Sequence, residues 1–282
     1  MRARVEPALE EADEGRRGDD AQAGIDSVET GMRVLMALSR LGGSRTLTAI
    51  AAAAGLSPPR AHRYLVSLVR SEVVERDAAR GYRLGPAALS IGVSALAAND
   101  ALQLAADAIG PLRDALDQAV ALMVWGRDGP VIVRAEEARR PVSLRLRVGE
   151  SLPATASASG LVLAAHLPWT RVGPIVEREL ADAAGLGGVP ASMDRVERLL
   201  ADARRRGMSR IVGTVTPGIT AIAAPVLDAA GRAVASISVV APSAGFDGTW
   251  QGEAALALRR TCDALSARLG HRPTRPHPET AR

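Results

Sequence analysis

The polar side chains best placed to do chemistry lie in one stretch, RTLTAIAAAAGLSPPRAHRYLVSLVR, running from Arg45 to Arg70. Within it Ala61, Leu65 and Leu68 recur at helical spacing, with Tyr64 beside them, and so face a core. Arg60, His62, Arg63 and Ser67 fall on the other side and are free to meet something outside. A guanidinium fork takes two acceptors of a guanine edge or two oxygens of a phosphate. The chemistry on offer is recognition of a nucleic acid rather than bond making. An antiparallel helix pair with a solvated basic face would show the same residues, so the neighbouring segments must decide.

Those segments build a reading platform. Residues 48–54 form a short alanine-rich helix with Ile50 on one side, and Gly55 can end it in a left-handed conformation at no steric cost. Ser57 then stands at an N-cap and Pro58 at the first helical position. Near the start of such a second helix, side chains reach base edges in the major groove. An earlier helix starts near Asp26 or Ser27, where the capping box is imperfect because Thr30 occupies its acidic position. Its apolar stripe is Val28, Met32, Leu35, Met36 and Leu38. After the pair, Val73-Val74-Glu75-Arg76 and Tyr82-Arg83-Leu84-Gly85 flank a polar turn and form a hairpin. Three helices and a hairpin make a winged helix-turn-helix over residues 26–85. Arg45, Thr46, Ser57, Pro59, Arg60, His62 and Arg63 are its candidate DNA contacts, with Arg76, Arg80 and Arg83 on the wing. Pro58-Pro59 offers no side-chain donors, so Arg60 and His62 read bases, while Arg63 serves phosphate or packing.

Charge supports this assignment. All 35 basic residues counted as lysine or arginine are arginine, a bias that runs through the chain and carries no functional meaning. Residues 1–25 have a net charge of −3, residues 26–85 of +4, and residues 101–268 are close to neutral. The positive balance sits where phosphate binding needs it.

Enzyme chemistry finds no constellation. His62, His166, His271 and His277 lack metal-ligand spacing with cysteine or carboxylate. Ser157 and Ser159 lack a nucleophile elbow, Gly185-Leu186-Gly187-Gly188 is a loop, and Glu136-Glu137 ends a strand in solvent. Cys262 sits in an apolar helical pattern and reads as packing; one cysteine fits a reducing compartment. With no signal peptide and no run of about 18 apolar residues, the expectation is a cytoplasmic protein with no membrane partner and no cofactor.

Residues 1–25 read as a disordered tail and 269–282 as a polar one. PAALSIGVSALAA, within a linker helix over residues 86–100, is apolar nearly all round and needs a partner, a second copy of itself or the following domain. Residues 101–268 mix hairpins and helices. Strands are expected at 121–125, 131–134, 142–148, 208–213, 219–227 and 232–240. Helices are expected at 101–119, 157–166, 170–183, 192–206 and 250–269. The class is α+β with a mostly antiparallel sheet.

Taken together, LTAIAAAAGLSPPRAHRYLVSLVRSEVVERD, GYRLGPAALSIG, RVGESLPATASASG and TPGITAIAAPVLDAAGRAVASISV resemble the IclR family of bacterial transcriptional regulators over about residues 26–268. The resemblance implies a GAF-like effector domain, control by a small-molecule effector (usually a small organic acid), and a double-stranded DNA operator of palindromic form. It also implies a homodimer, often paired again as a dimer of dimers. Carried over residue by residue, the effector site is Thr155, Ser157, Ala158 and Gly160, then Thr214, Thr216, Gly218 and Ala221, with Ser238. The chain departs from the family pattern at Thr155 (commonly histidine), Leu161 (lysine), Ile211 and Thr214 (acidic), Ala221 (cysteine) and Val240 (serine). The competing reading is a sensor or protein-interaction module that touches DNA only non-specifically.

Overall fold

Three helices open the chain in the computed structural model, which describes residues 24–77, 81–139, 146–182 and 192–272. They are α1 (Asp26–Leu41), α2 (Leu47–Ala53) and α3 (Pro58–Arg70), followed by the antiparallel strands β1 (Val74–Arg76) and β2 (Tyr82–Leu84). Leu38, Ile50 and Leu65 are fully buried where the helices meet, with Val34, Val74 and Tyr82 around them. Each such side chain contributes about 1.5–3 kcal/mol by leaving water. Gly55 makes the turn between α2 and α3 with φ of +65°. That left-handed residue lets Leu56 N–H bond the Ala51 carbonyl at 2.9 Å and close the end of α2.

Next comes α4 (Pro86–Ala97), which buries none of its residues within the chain. Leu89, Ile91 and Val93 are 69%, 64% and 55% exposed. The chain divides into two compact units inside this helix, between Ile91 and Gly92. No single helix among the described residues is long and apolar enough to cross a membrane.

The second unit is a five-stranded antiparallel sheet in the order β4-β3-β7-β6-β5. Its strands are β3 (Ala119–Trp125), β4 (Pro130–Glu136), β5 (Ser209–Val212), β6 (Ile219–Leu227) and β7 (Ala233–Pro242). Alternation along each strand sends residues to opposite faces. One face carries Leu122, Ile222 and Ile237 and packs against α5 (Asp100–Leu116) and α9 (Glu253–Arg268) through Ile109 and Leu258. The other face carries small residues, Ala121, Ala221, Ala223 and Ser238. It meets α6 (Ala158–Ala165), behind which lie α7 (Trp169–Ala181) and α8 (Met193–Arg206). All eight residues of α6 are buried, as a helix apolar on every side requires.

Several expectations need correction. In α1 the buried stripe is Thr30, Val34, Ala37 and Leu38, while Val28 and Met32 are 59% and 45% exposed. The apolar residues outnumber the positions the small domain can cover, so periodicity alone picked a face turned by one residue pair. Ser57 occupies the N-cap of α3 but its side chain caps nothing; Pro59 at the second helical position has no N–H to offer, and Ser57 is exposed. Residues 146–150 are a loop, not the end of a strand, tied to β4 by Gly149 N–H to Ile132 O at 2.8 Å. The remainder of the strand expected over 142–148 lies outside the described residues. Cys262 is buried as expected, and burial pushes its thiol far above the ordinary range.

Gly160 is where the fold tolerates no side chain: a Cβ there would stand 2.4 Å from the Ala154 carbonyl oxygen and 2.6 Å from that of Pro153. Gly160→Ala is expected to lower stability by about 1–3 kcal/mol. Gly110→Ala, in α5 where only its chain neighbours and its own helix come near the new methyl, gains helix propensity but sets that methyl against the ring of Pro111, and should change it by less than about 0.5 kcal/mol. Denaturant melts of both variants check the contrast.

Candidate nucleic-acid interface and effector cavity

On α3 the residues Ser57, Pro59, Arg60, His62 and Arg63 are all exposed and lie together in the first two turns. Ala61 and Leu65, fully buried, fix which side they present. Arg60 forms a 3.9 Å pair with Asp26 in which one side chain is about half exposed and the other largely so. A pair of that kind is worth about 0–1 kcal/mol and yields readily to a phosphate or a guanine. The hairpin arginines are less free. Arg83 Nε lies 2.7 Å from Glu75 Oε1 on the paired strand, and the Arg76 guanidinium stacks 5.1 Å from the Tyr82 ring centre. Arg80 lies outside the described residues.

Two of the expected contacts have duties inside the domain. Arg45 donates from Nε to the Leu41 and Gly42 carbonyls at 3.0 and 2.8 Å, which closes the C-terminus of α1. Its backbone exchanges two hydrogen bonds with Tyr82, at 2.9 and 2.8 Å, and so bridges to the hairpin. Thr46 is the N-cap of α2, its Oγ1 accepting from Ala49 N–H at 3.3 Å. Neither role was visible in the sequence, because a long-range bridge to Tyr82 leaves no periodic signal.

In the second unit the small-residue face of the sheet leaves a cavity of about 120 Å³ beneath α6, open at one side where Val215 and Thr216 are exposed. Ser157, Ala158, Thr216, Ala221 and Ser238 line it, as the sequence led us to expect. The other expected residues do not. Thr155 turns away: its Oγ1 donates to Glu179 Oε2 at 2.7 Å. Gly160 packs on the 153–154 carbonyls. Thr214 Oγ1 bonds the Val212 carbonyl at 3.5 Å within its own loop, and Gly218 shapes that loop with φ of +76°. The walls missed in the sequence are apolar, chiefly Met123, Ile132, Leu146 and Ile219. They follow from the sheet register, which only the fold supplies.

Two polar residues were also missed. Glu179 is 7% exposed and accepts from Ala154 N–H at 2.6 Å, Thr155 N–H at 2.9 Å and the Thr155 hydroxyl. It continues the stripe Val172, Ile175, Val176 of α7, and a carboxylate at an apolar-face position was the available clue. Ser159 lines the cavity at 2% exposure. Ser157 by contrast is fully engaged, donating to Pro153 O at 2.6 Å and accepting from Gly160 N–H at 3.0 Å. Glu150 is the one charged residue among those lining the cavity. Among the described residues no cluster of three or more histidine, cysteine or carboxylate side chains suits a metal ion.

Comparison with known proteins bears on both units. A profile of the IclR helix-turn-helix domain matches residues 27–78, and one of the bacterial transcriptional regulator IclR C-terminal region matches residues 93–267. The chain is 26% identical over 270 residues to an HTH-type transcriptional repressor, AllR, of Klebsiella pneumoniae, covering 92% of this chain and 95% of that one. Among solved structures it resembles Pseudomonas aeruginosa HmgR with 37% identity and a TM-score of 0.57, covering 89% of this chain and 100% of HmgR. It also resembles an IclR homolog of Microbacterium hydrocarbonoxydans complexed with 4-hydroxybenzoate, with 26% identity, a TM-score of 0.67, and coverage of 86% and 98%. These relatives are regulators and not enzymes, and the profile match over most of the second unit accounts for the sheet and α6 as well as the helices. The chain belongs to the IclR family of bacterial transcriptional regulators.

Proposed function

We propose that the protein is a homodimeric regulator that binds a palindromic operator through α3 and responds to a small organic acid held in the cavity beneath α6. The observation that carries this reading is the cavity itself: apolar-walled, with one open side, and of about 120 Å³. That is the order of the roughly 150 Å³ void that admits benzene, so the occupant is about one ring in size. An acid group suits the start of α6, where Ser157 caps the helix and the first-turn N–H groups carry partial positive charge. The Microbacterium homolog's complex with 4-hydroxybenzoate, one ring with one carboxylate, supports the same class. The exposed Leu89, Val93 and Leu96 of α4, at i, i+4 and i+7, give the dimer an apolar seam, and a pair of such dimers accounts for any tetramer. Ligand then acts by favouring one placement of the two reading heads over another.

Within α3, Arg60 and His62 read bases and Arg63 holds phosphate. Arg60→Ala is expected to cost about 1–3 kcal/mol on the operator and to relax its sequence preference. Arg63→Ala should weaken all sequences alike and reduce the salt slope by about 1. Titrations of operator and scrambled duplex at several salt concentrations separate the two. Equal losses on both duplexes for both variants would favour the competing reading, a module with only non-specific DNA contact.

Val93→Asp is expected to dissociate the dimer and to lower operator affinity in step, measured by sedimentation and by binding to the same duplex. A monomer that keeps full affinity for the whole palindrome would remove the dimer from the mechanism.

For the cavity, a ring-sized acid at about 100 times its Kd should raise stability by about 2.7 kcal/mol. Ala221→Leu, which fills the space from β6, should abolish that gain while leaving operator binding intact. Thermal melts of both proteins with 4-hydroxybenzoate and related ring acids provide the test.

A further inference from the structure

We propose that Ser159 is the specificity-determining residue of the cavity, its hydroxyl donating a hydrogen bond to the acid group of the effector. This rests on the organic-acid reading above and adds a named donor to it. Ser159 is 2% exposed, lines the cavity, and its Oγ has no hydrogen-bond partner in the protein. Buried hydroxyls are ordinarily paired, because leaving water without a partner is unfavourable. An unpaired one, on a residue that lines a ligand-sized space, is a donor that a rotation about its Cα–Cβ bond can offer to a ligand.

The neighbouring groups leave this task to Ser159. Ser157, one turn position earlier, has spent its hydroxyl on Pro153 O and Gly160 N–H, so it cannot also serve a ligand without uncapping α6. Thr155 is bound to Glu179. Thr216 lies exposed at the rim, and Ser238 faces in from β7 on the opposite wall. Among the described residues that line the cavity none carries a positive charge, and Glu150 carries a negative one. What these residues offer a carboxylate is neutral donors, the N–H groups that open α6 and the Ser159 hydroxyl beside them. A hydroxyl supplies one proton in one direction, so its loss falls on acids and spares uncharged rings. Ser236 offers a control: its hydroxyl is equally buried and unpaired but is not among the cavity walls.

Calorimetric titration of the full-length protein with benzoate, 4-hydroxybenzoate, phenylacetate and uncharged benzyl alcohol tests this. Wild type should bind at least one of the acids. S159A should bind that acid about 10-fold or more weakly, S159T should recover to within a few-fold, and S236A should match wild type. Without ligand, S159A should melt no lower than wild type, since it removes a hydroxyl with no protein partner. Equal acid affinity in S159A and wild type would overturn the role of Ser159 and leave the cavity reading standing. A ligand-free Tm lowered by about 3 °C or more would overturn it in favour of a structural hydroxyl. Binding of benzyl alcohol but of none of the acids, or of no probe at all, would overturn the acid reading and the Ser159 role with it.

Discussion

The close approach of α6 to the turn before it is the constraint on which the effector unit depends. Gly160 lets the helix start against the carbonyls of Pro153 and Ala154, at distances no β-carbon would permit. The amides of that same turn point the other way, into Glu179, which receives Ala154 N–H, Thr155 N–H and the Thr155 hydroxyl. One missing methyl and one buried carboxylate thus fix the turn from both sides. Removing the carboxylate would leave buried donors unpaired, at about 1–3 kcal/mol for each neutral group. With the turn fixed, α6 stands at a set height above Ala121, Ala221 and Ser238, and the cavity is what remains between them.

The DNA-reading unit solves a similar problem with other means. Its core is small, so the direction of α3 is set by few contacts: Ala61 and Leu65 inside, Gly55 at the turn, and Pro58 at the start. Arg45 ties the pieces together, closing α1 with its guanidinium and joining the hairpin with its backbone. Arg45, itself a candidate DNA contact, thereby also frames the candidates on α3, Arg60, His62 and Arg63. Arginine suits both uses because its fork satisfies two carbonyls or two phosphate oxygens equally well.

How much of this could be read in the sequence depends on how local each signal is. Gly55, Pro58 and the Ala61–Leu65–Leu68 spacing are local, and α2, α3 and their turn followed from them. The hairpin of β3 and β4 and the pair β6 and β7 are likewise bounded by short turns. What escaped is long-range. Thr155 resembled a cavity residue until Glu179, far along the chain in α7, claimed its hydroxyl. Ser159 was weighed only as a nucleophile, and its place in the cavity depends on the height of α6 above the sheet. The buried face of α1 was misjudged because Val28 and Met32 are as apolar as the residues that do face the core. Composition cannot choose between two apolar faces when the rest of the chain covers only one.

The two exposed features, the α4 seam and the cavity, belong to one physical account. A space of about 120 Å³ with apolar walls would cost at most on the order of 3 kcal/mol if left without a ligand, at roughly 24 cal/mol for each cubic ångström of dry void. Larger side chains at Ala121, Ala221 or Ser238 would recover it, so the small residues hold open a space that the fold itself would be better without. A ligand that fills the space returns that free energy, and it can shift a conformational equilibrium only by the part it returns to one state more than to another. A few kcal/mol is the range of ordinary coupling between sites. The helix that buries nothing within its own chain, α4, lies in sequence between the cavity unit and the reading unit. If α4 pairs with its copy along Leu89, Val93 and Leu96, as proposed above, any preference the ligand has between two packings of that seam would be felt as a change in the spacing of two α3 helices. That spacing is what a palindromic site measures, since half-sites read by a dimer must lie a fixed helical repeat apart.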